Sequence, residues 1–200
     1  CVVANPPYIT PKDKAANNAY RRLYATCHRV YSLSVPFMER IFDLATSPGE
    51  DGQGAGHTGQ ITANSFMKRE FGKKLIEELF PKRDLTHVVD TSGAYIPGHG
   101  TPTVILFGRN QSPQGRTVRA VLGIKGEPST PVDASQGFVW QSILRNIDVV
   151  DAEDEFTSSS DAERSIFCSH PWSMTGGGAN ELKQRIDEVA RSAVGAHAKS

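Results

Sequence analysis

Cysteine is scarce in this chain: only Cys1, Cys27 and Cys168 occur among 200 residues. An odd number at such distances makes neither a disulfide framework nor a zinc knuckle, and reads as reduced thiols in a cytoplasm. Long apolar runs are missing too. None approaches the ~20 residues that span a bilayer, so no membrane is expected as a partner. No charged-then-apolar leader ends in a cleavage site. Methionine is absent from position 1, and the apolar run Cys1-Val2-Val3-Ala4 starts on the first residue. The chain therefore reads as an excerpt, cut at a buried strand. Net charge is lacking as well, since 22 Lys/Arg balance 22 Asp/Glu.

What is present suffices for a core. With 38% hydrophobic and 22% charged residues, global disorder is excluded, and the length suits one domain or one plus a subdomain. The charge is unevenly spread. Residues 1–125 hold 16 Lys/Arg against 10 Asp/Glu, whereas residues 126–200 hold 6 against 12. Such runs are either solvated faces or, in the basic half, a surface suited to a phosphate backbone.

Val2-Val3-Ala4, ended by Pro6-Pro7, predicts a buried strand. Helical spacing predicts a helix over 17–29 and a second one opened by Ser34 and Pro36. A Gly-rich loop is expected over 47–59, then a strand at 60–64 and an amphipathic helix over 71–80 closed by Pro81. Strands follow at 85–91, 103–107 and 117–124, with a Gly/Pro-rich loop at 92–102. This is α/β order, its last close pair antiparallel. Beyond Gly126 the pattern weakens: a short helix at 141–147, an acidic Ser-rich linker at 151–161 and a terminal helix at 181–194. The expected division is a catalytic part over 1–125, then a linker and the start of a C-terminal region over 126–200.

The chemistry concentrates in Asn5-Pro6-Pro7-Tyr8. Each proline fixes its own φ and pushes the preceding residue toward extended backbone. The Asn5 side-chain oxygen and the Pro6 carbonyl are acceptors that can converge just past a strand end, where open α/β sheets bind ligands. Two fixed acceptors beside an aromatic plate suit a planar group carrying an NH₂. Holding both N–H bonds favours a pyramidal nitrogen with its lone pair turned to an electrophile. Such preorganised stabilisation is worth roughly 10²–10³ in rate per group, by analogy with oxyanion holes. In this reading the ring face of Tyr8 matters more than its hydroxyl. A plain strand-ending turn with an incidental tyrosine is the alternative.

Asn-Pro-Pro-Tyr after a buried strand resembles the catalytic motif of S-adenosylmethionine-dependent amino methyltransferases, both DNA-adenine and protein-glutamine enzymes. The segments "VPFMERIFDLAT", "GQITANSFMKREFGKKLIEELF" and "VVDTSGAYIPGHGTPTVILFGRN" follow the order found in DNA adenine methyltransferases. The nearer likeness is to those of the phage growth limitation (Pgl) and BREX defence systems, to which "HPWSMTGGGANELKQRI" is also similar. The resemblance implies the C-terminal half of a Rossmann-like methyltransferase sheet, contributing its strands four to seven, with a mixed α+β tail. It implies S-adenosylmethionine as cofactor, double-stranded DNA and other phage-defence proteins as partners, and a cytoplasmic location. Asn5 and Pro6 would hold the amino group of a flipped adenine, with Pro7 stiffening the motif and Tyr8 stacking on the base. Tyr95, Ile96 and Pro97 would form a second wall. The Gly-rich turn and acidic residue that serve the cofactor would lie upstream. A non-catalytic DNA-binding or docking module is the competing class.

Other motifs carry less. Gly54-Ala55-Gly56-His57-Thr58-Gly59 spells a dinucleotide fingerprint but precedes a strand where a helix is needed, and reads as a flexible loop. Gly176-Gly177-Gly178 lacks a following Lys-Ser/Thr and reads as a hinge or DNA contact. Cys168 and His170 are the only plausible metal pair, with no second pair nearby, so no metal site is expected.

Overall fold

The computed structural model describes residues 1–49, 54–98 and 100–174. Its centre is a seven-stranded sheet of order β1-β2-β4-β3-β5-β7-β6. The strands are β1 (Val2–Ala4), β2 (His57–Ala63), β3 (Asp84–Asp90), β4 (Thr103–Arg109), β5 (Thr117–Gly123), β6 (Ala152–Glu153) and β7 (Thr157–Glu163). β1 and β2 are parallel, β4 runs antiparallel to both β2 and β3, and β3 and β5 are parallel again. The carboxyl ends of β1, β2, β3 and β5 therefore share one edge of the sheet. The expected strands 85–91 and 103–107 are present as β3 and β4, antiparallel as read.

Three α-helices flank the sheet. α1 (Lys14–Leu23) starts where the Asp13 carboxylate accepts the Ala16 amide at 2.7 Å. It stops at Tyr24, which is extended, so the expected helix over 17–29 is shifted toward the N-terminus and shorter. α2 (Ser34–Leu44) packs on β1 and β2 with Val35, Met38, Ile41 and Phe42 buried. α3 (Phe138–Asn146) is capped from a distance, the Glu127 carboxylate accepting the Phe138 and Val139 amides.

Two readings are corrected. The 71–80 helix is absent as such: the chain breaks into 3₁₀ turns at Glu70–Gly72 and Phe80–Lys82 around a wide π turn at Leu75–Leu79. Gly72 is the physical cause at one end, since a Cβ there would lie 1.9 Å from the Phe66 carbonyl oxygen. Pro81, which has no N–H to donate, acts at the other. The apolar face survives, with Phe71, Leu75, Ile76, Leu79 and Phe80 buried. The acidic run 151–161 is not a linker. Most of it is β6 and β7, and β7 pairs with β5 from Thr117↔Glu163 to Gly123↔Thr157. Burial falls off along one face of β7: Thr157 and Ser159 are buried, whereas Asp161 and Glu163, further along the same face, are exposed. The Gly-rich loop is likewise shorter than expected, because His57 to Gly59 already belong to β2. The terminal helix at 181–194 and Gly176–Gly178 lie outside the described residues.

The larger core lies on the α2 face, where the rung Gln60–Leu106–Val88–Ala120 crosses four strands. The turn segment 64–82 and Trp172 complete it. Trp172 is 1% exposed, with ring centroids of Phe66, Phe80 and Phe167 5.2–5.6 Å away, and its amide donates to the Met67 carbonyl. On the opposite face α3 covers Val89 and Val121. Toward β1 that face is open, leaving an apolar hollow of about 560 Å³ lined by Val3, Gly59, Ile61, Ile105, Phe107 and Ile147. No helix among the described residues is long and apolar enough to cross a membrane.

Candidate active site

Asn5-Pro6-Pro7-Tyr8 leaves β1 at the carboxyl edge, beside the end of β2. Pro6 is buried, whereas Asn5 and Pro7 are exposed and Tyr8 is half-buried. A buried, rigid Pro6 anchors the turn while leaving the Asn5 side chain in solvent. One residue past the motif, the Ile9 carbonyl accepts the Leu33 amide at 2.8 Å, tying the motif to the start of α2. The Tyr8 hydroxyl donates to Asn5 Oδ1 at 2.9 Å. Burial raises the Tyr8 pKa, which keeps the phenol protonated and able to donate. The hydroxyl is therefore engaged within the motif. It fixes the orientation of the Asn5 carboxamide, and the amide oxygen retains a second lone pair for an incoming N–H.

The second wall is assembled only in part. The β3–β4 loop bounds a hollow of about 210 Å³ lined by Thr91, Ser92, Ala94, Ile96, Thr101 and Thr103. Ile96 lines it; Tyr95, partly buried, and Pro97, exposed, do not. This hollow and the motif share the carboxyl edge but not one cavity. Between them the Asn64 amide donates to the Pro102 carbonyl at 3.0 Å, and the buried Thr91 and Thr103 hydroxyls pair at 2.7 Å.

Asn64 and Thr91 escaped sequence reasoning, though a signal existed. Each of these parallel strands is followed directly by a polar residue: Asn5 after β1, Asn64 after β2, Thr91 after β3. The larger apolar hollow lies on the open sheet face, and Asn5, Pro6 and Tyr8 do not line it. Among the described residues no group of three or more His, Cys, Asp or Glu could hold a metal ion.

A half-sheet with this motif at its carboxyl edge defines a class, the Rossmann-like methyltransferases. Residues 1–96 match the family described as Eco57I restriction-modification methylase. The chain is 51% identical over 187 residues to a segment of the adenine-specific methyltransferase PglX of Streptomyces coelicolor. That match takes in 92% of this chain and 16% of the relative, so the chain spans about a sixth of the relative's length. Both findings bear out the resemblance drawn from the motifs.

Solved structures agree on the fold. A modification subunit of a putative type I restriction enzyme from Vibrio vulnificus YJ016 superposes with a TM-score of 0.60 at 14% identity, over 87% of this chain and 36% of that one. The type IIG restriction endonuclease BpuSI gives 0.55 at 14% identity, over 83% and 19%. These likenesses are of fold, an α/β sheet shared with those two restriction-modification proteins.

Proposed function

We propose that this chain is the amine-holding part of a site-specific DNA adenine methyltransferase that serves phage defence. The observation that carries the reading is the Tyr8-oriented Asn5 side chain, solvent-exposed at the carboxyl end of a parallel strand. In this reading a flipped adenine presents its amino group to Asn5 Oδ1 and the Pro6 carbonyl. The two acceptors take its hydrogens, the nitrogen lone pair turns outward, and the accessible part of the Tyr8 ring stacks on the base. Pro7 holds the turn rigid, and the loop carrying Tyr95, Ile96 and Pro97 closes the far side through Ile96. Residues 1–125 are the catalytic half. The stretch from 126 adds α3, β6 and β7 to the sheet and leads into a C-terminal region.

The methyl group comes from S-adenosylmethionine, but these residues do not build its cradle. Among the described residues no Gly-rich turn joins a strand to a helix, and β1 has a partner on one side only. The cofactor site belongs to the remaining part of the full-length protein, which acts on double-stranded DNA in the cytoplasm alongside other defence proteins.

The test is methyl transfer by the full-length protein and its Asn5→Ala variant, with fold checked by circular dichroism. The substitution empties no core space, so the fold is expected to persist while the rate falls roughly 10²–10³-fold or more. Methylation within threefold of wild type overturns the role of Asn5. Methyl groups appearing on protein glutamine rather than on adenine overturn the substrate.

A further inference from the structure

The basic residues of this chain are not evenly available. Two segments flank the Asn5–Tyr8 motif: residues 10–33, which follow it, and residues 64–74, which follow the adjacent strand β2. Together they carry nine Lys/Arg against two Asp/Glu. They meet in space where His28 Nε2 stands 3.8 Å from the Glu70 carboxylate. Their two carboxylates are already engaged, Asp13 in capping α1 and Glu70 against His28. Arg21 is also engaged, its guanidinium donating to Asn17, to the Cys27 carbonyl and to the Arg29 carbonyl, and lying over the Tyr31 ring. Arg22, Arg29, Lys68, Arg69 and Lys73 are exposed, and among the described residues none of their side chains forms an ion pair.

The far end of the sheet is the reverse. Residues 126–163 hold one Lys/Arg against nine Asp/Glu. Most cations there are spent, Arg119 on Asp161, Lys125 on Glu155, Arg145 on Asp154 and Arg164 on Asp84, while Arg116 is exposed. Seven strands at ~4.8 Å spacing put the edge strands β1 and β6 about 29 Å apart, several times the ~8 Å screening length at physiological salt.

We infer that the duplex flanking the target base lies over the α1 and 64–74 side of the motif, its phosphates contacted by Lys68, Arg69, Lys73, Arg22 and Arg29. The acidic β5–β7–β6 end repels the backbone and fixes the sense in which the duplex crosses the carboxyl edge. This rests on the DNA reading above and adds to it which side of the site carries the duplex.

The experiment measures binding of the full-length protein to a 30-base-pair duplex across a salt series. A triple variant, Lys68→Ala/Arg69→Ala/Lys73→Ala, is expected to make the slope of log K against log salt less negative by roughly 2–3. The independent pair Arg22→Ala/Arg29→Ala is expected to change it by roughly 2. An Arg116→Ala/Arg145→Ala control is expected to leave it unchanged. All variants are checked for unchanged thermal unfolding, and whichever of the two test variants folds decides. Slopes within about 0.5 of wild type in a folded test variant overturn this surface while leaving the DNA reading intact. Wild-type protein that ignores the duplex but binds anionic vesicles overturns both.

Discussion

At the scale of single residues, the Tyr8–Asn5 contact changes what a conservative substitution should do. A ring used only for stacking would tolerate phenylalanine. Here Tyr8→Phe removes the 2.9 Å hydrogen bond that orients the Asn5 carboxamide. Such a bond is worth about 0.5–1.5 kcal/mol net, so the full-length enzyme is expected to lose up to roughly tenfold in methylation rate. Tyr8→Ala also removes stacking, worth ~1–3 kcal/mol, and is expected to be slower still. Single-turnover rates in the order tyrosine, phenylalanine, alanine are expected; phenylalanine equal to tyrosine would make the hydroxyl incidental. Asp154 gives a second residue-scale expectation. Partial burial pushes its pKa up, but hydrogen bonds from Ser142, the Phe156 and Thr157 amides and Arg145 outweigh it and hold the carboxyl below its usual range. A depressed folded value means its stabilisation is complete above roughly pH 4 and drains away as pH falls further. Asp154→Asn is expected to lower the unfolding midpoint at pH 7 and to flatten the loss of stability below pH 4, as read from urea melts across pH.

At the scale of elements, Asp84 joins parts of the chain distant in sequence. Its 2%-exposed carboxylate at the start of β3 accepts from Arg109 on β4, from Arg164 after β7, and from Gln111 and the Gln114 amide. Asp84→Ala removes the carboxylate that neutralises the partly buried Arg109 and Arg164 guanidinia, of which Arg164 keeps the Leu85, Gly115 and Thr117 carbonyls. The expected cost is about 3–5 kcal/mol, and a urea midpoint unchanged within error would show the cluster to be idle. How much of this was legible follows from how local each signal is. α2 could be read because Ser34, Pro36 and the Met38, Ile41, Phe42 face lie within one helix. The π turn at Leu75–Leu79 could not, because its apolar spacing matches that of an α-helix and the departure depends on Gly72 meeting Phe66. β7 was missed because its inward positions are Thr157 and Ser159, polar groups that bury only once β5 supplies a partner strand. The motif Asn5–Tyr8 was legible as four contiguous residues. The basic surface was not, since it joins two segments some forty residues apart in sequence through His28 and Glu70.

At the scale of the whole molecule, β1 is the decisive border. Among the described residues it pairs with β2 alone, its Val3 side chain is 78% exposed, and the adjoining sheet face is the open apolar hollow. An unpaired edge beside uncovered apolar surface invites association with other chains. Residues 1–200 alone are therefore expected to self-associate in a concentration-dependent way by analytical ultracentrifugation. They are also expected to give no heat on calorimetric titration with S-adenosylmethionine. One-to-one micromolar binding would show that the cofactor cradle is complete within this chain.

Trp172 bears on how this protein is made. Phe66 and Phe80 form two walls of its cage, and the ring that fills the cage is about a hundred residues further along. At ~5–20 residues per second, a ribosome needs roughly 5–20 s to reach it after finishing Phe66. Throughout that interval Trp172 cannot cover Phe66 and Phe80, and a chain stalled between β4 and residue 172 is expected to leave those two rings without this partner.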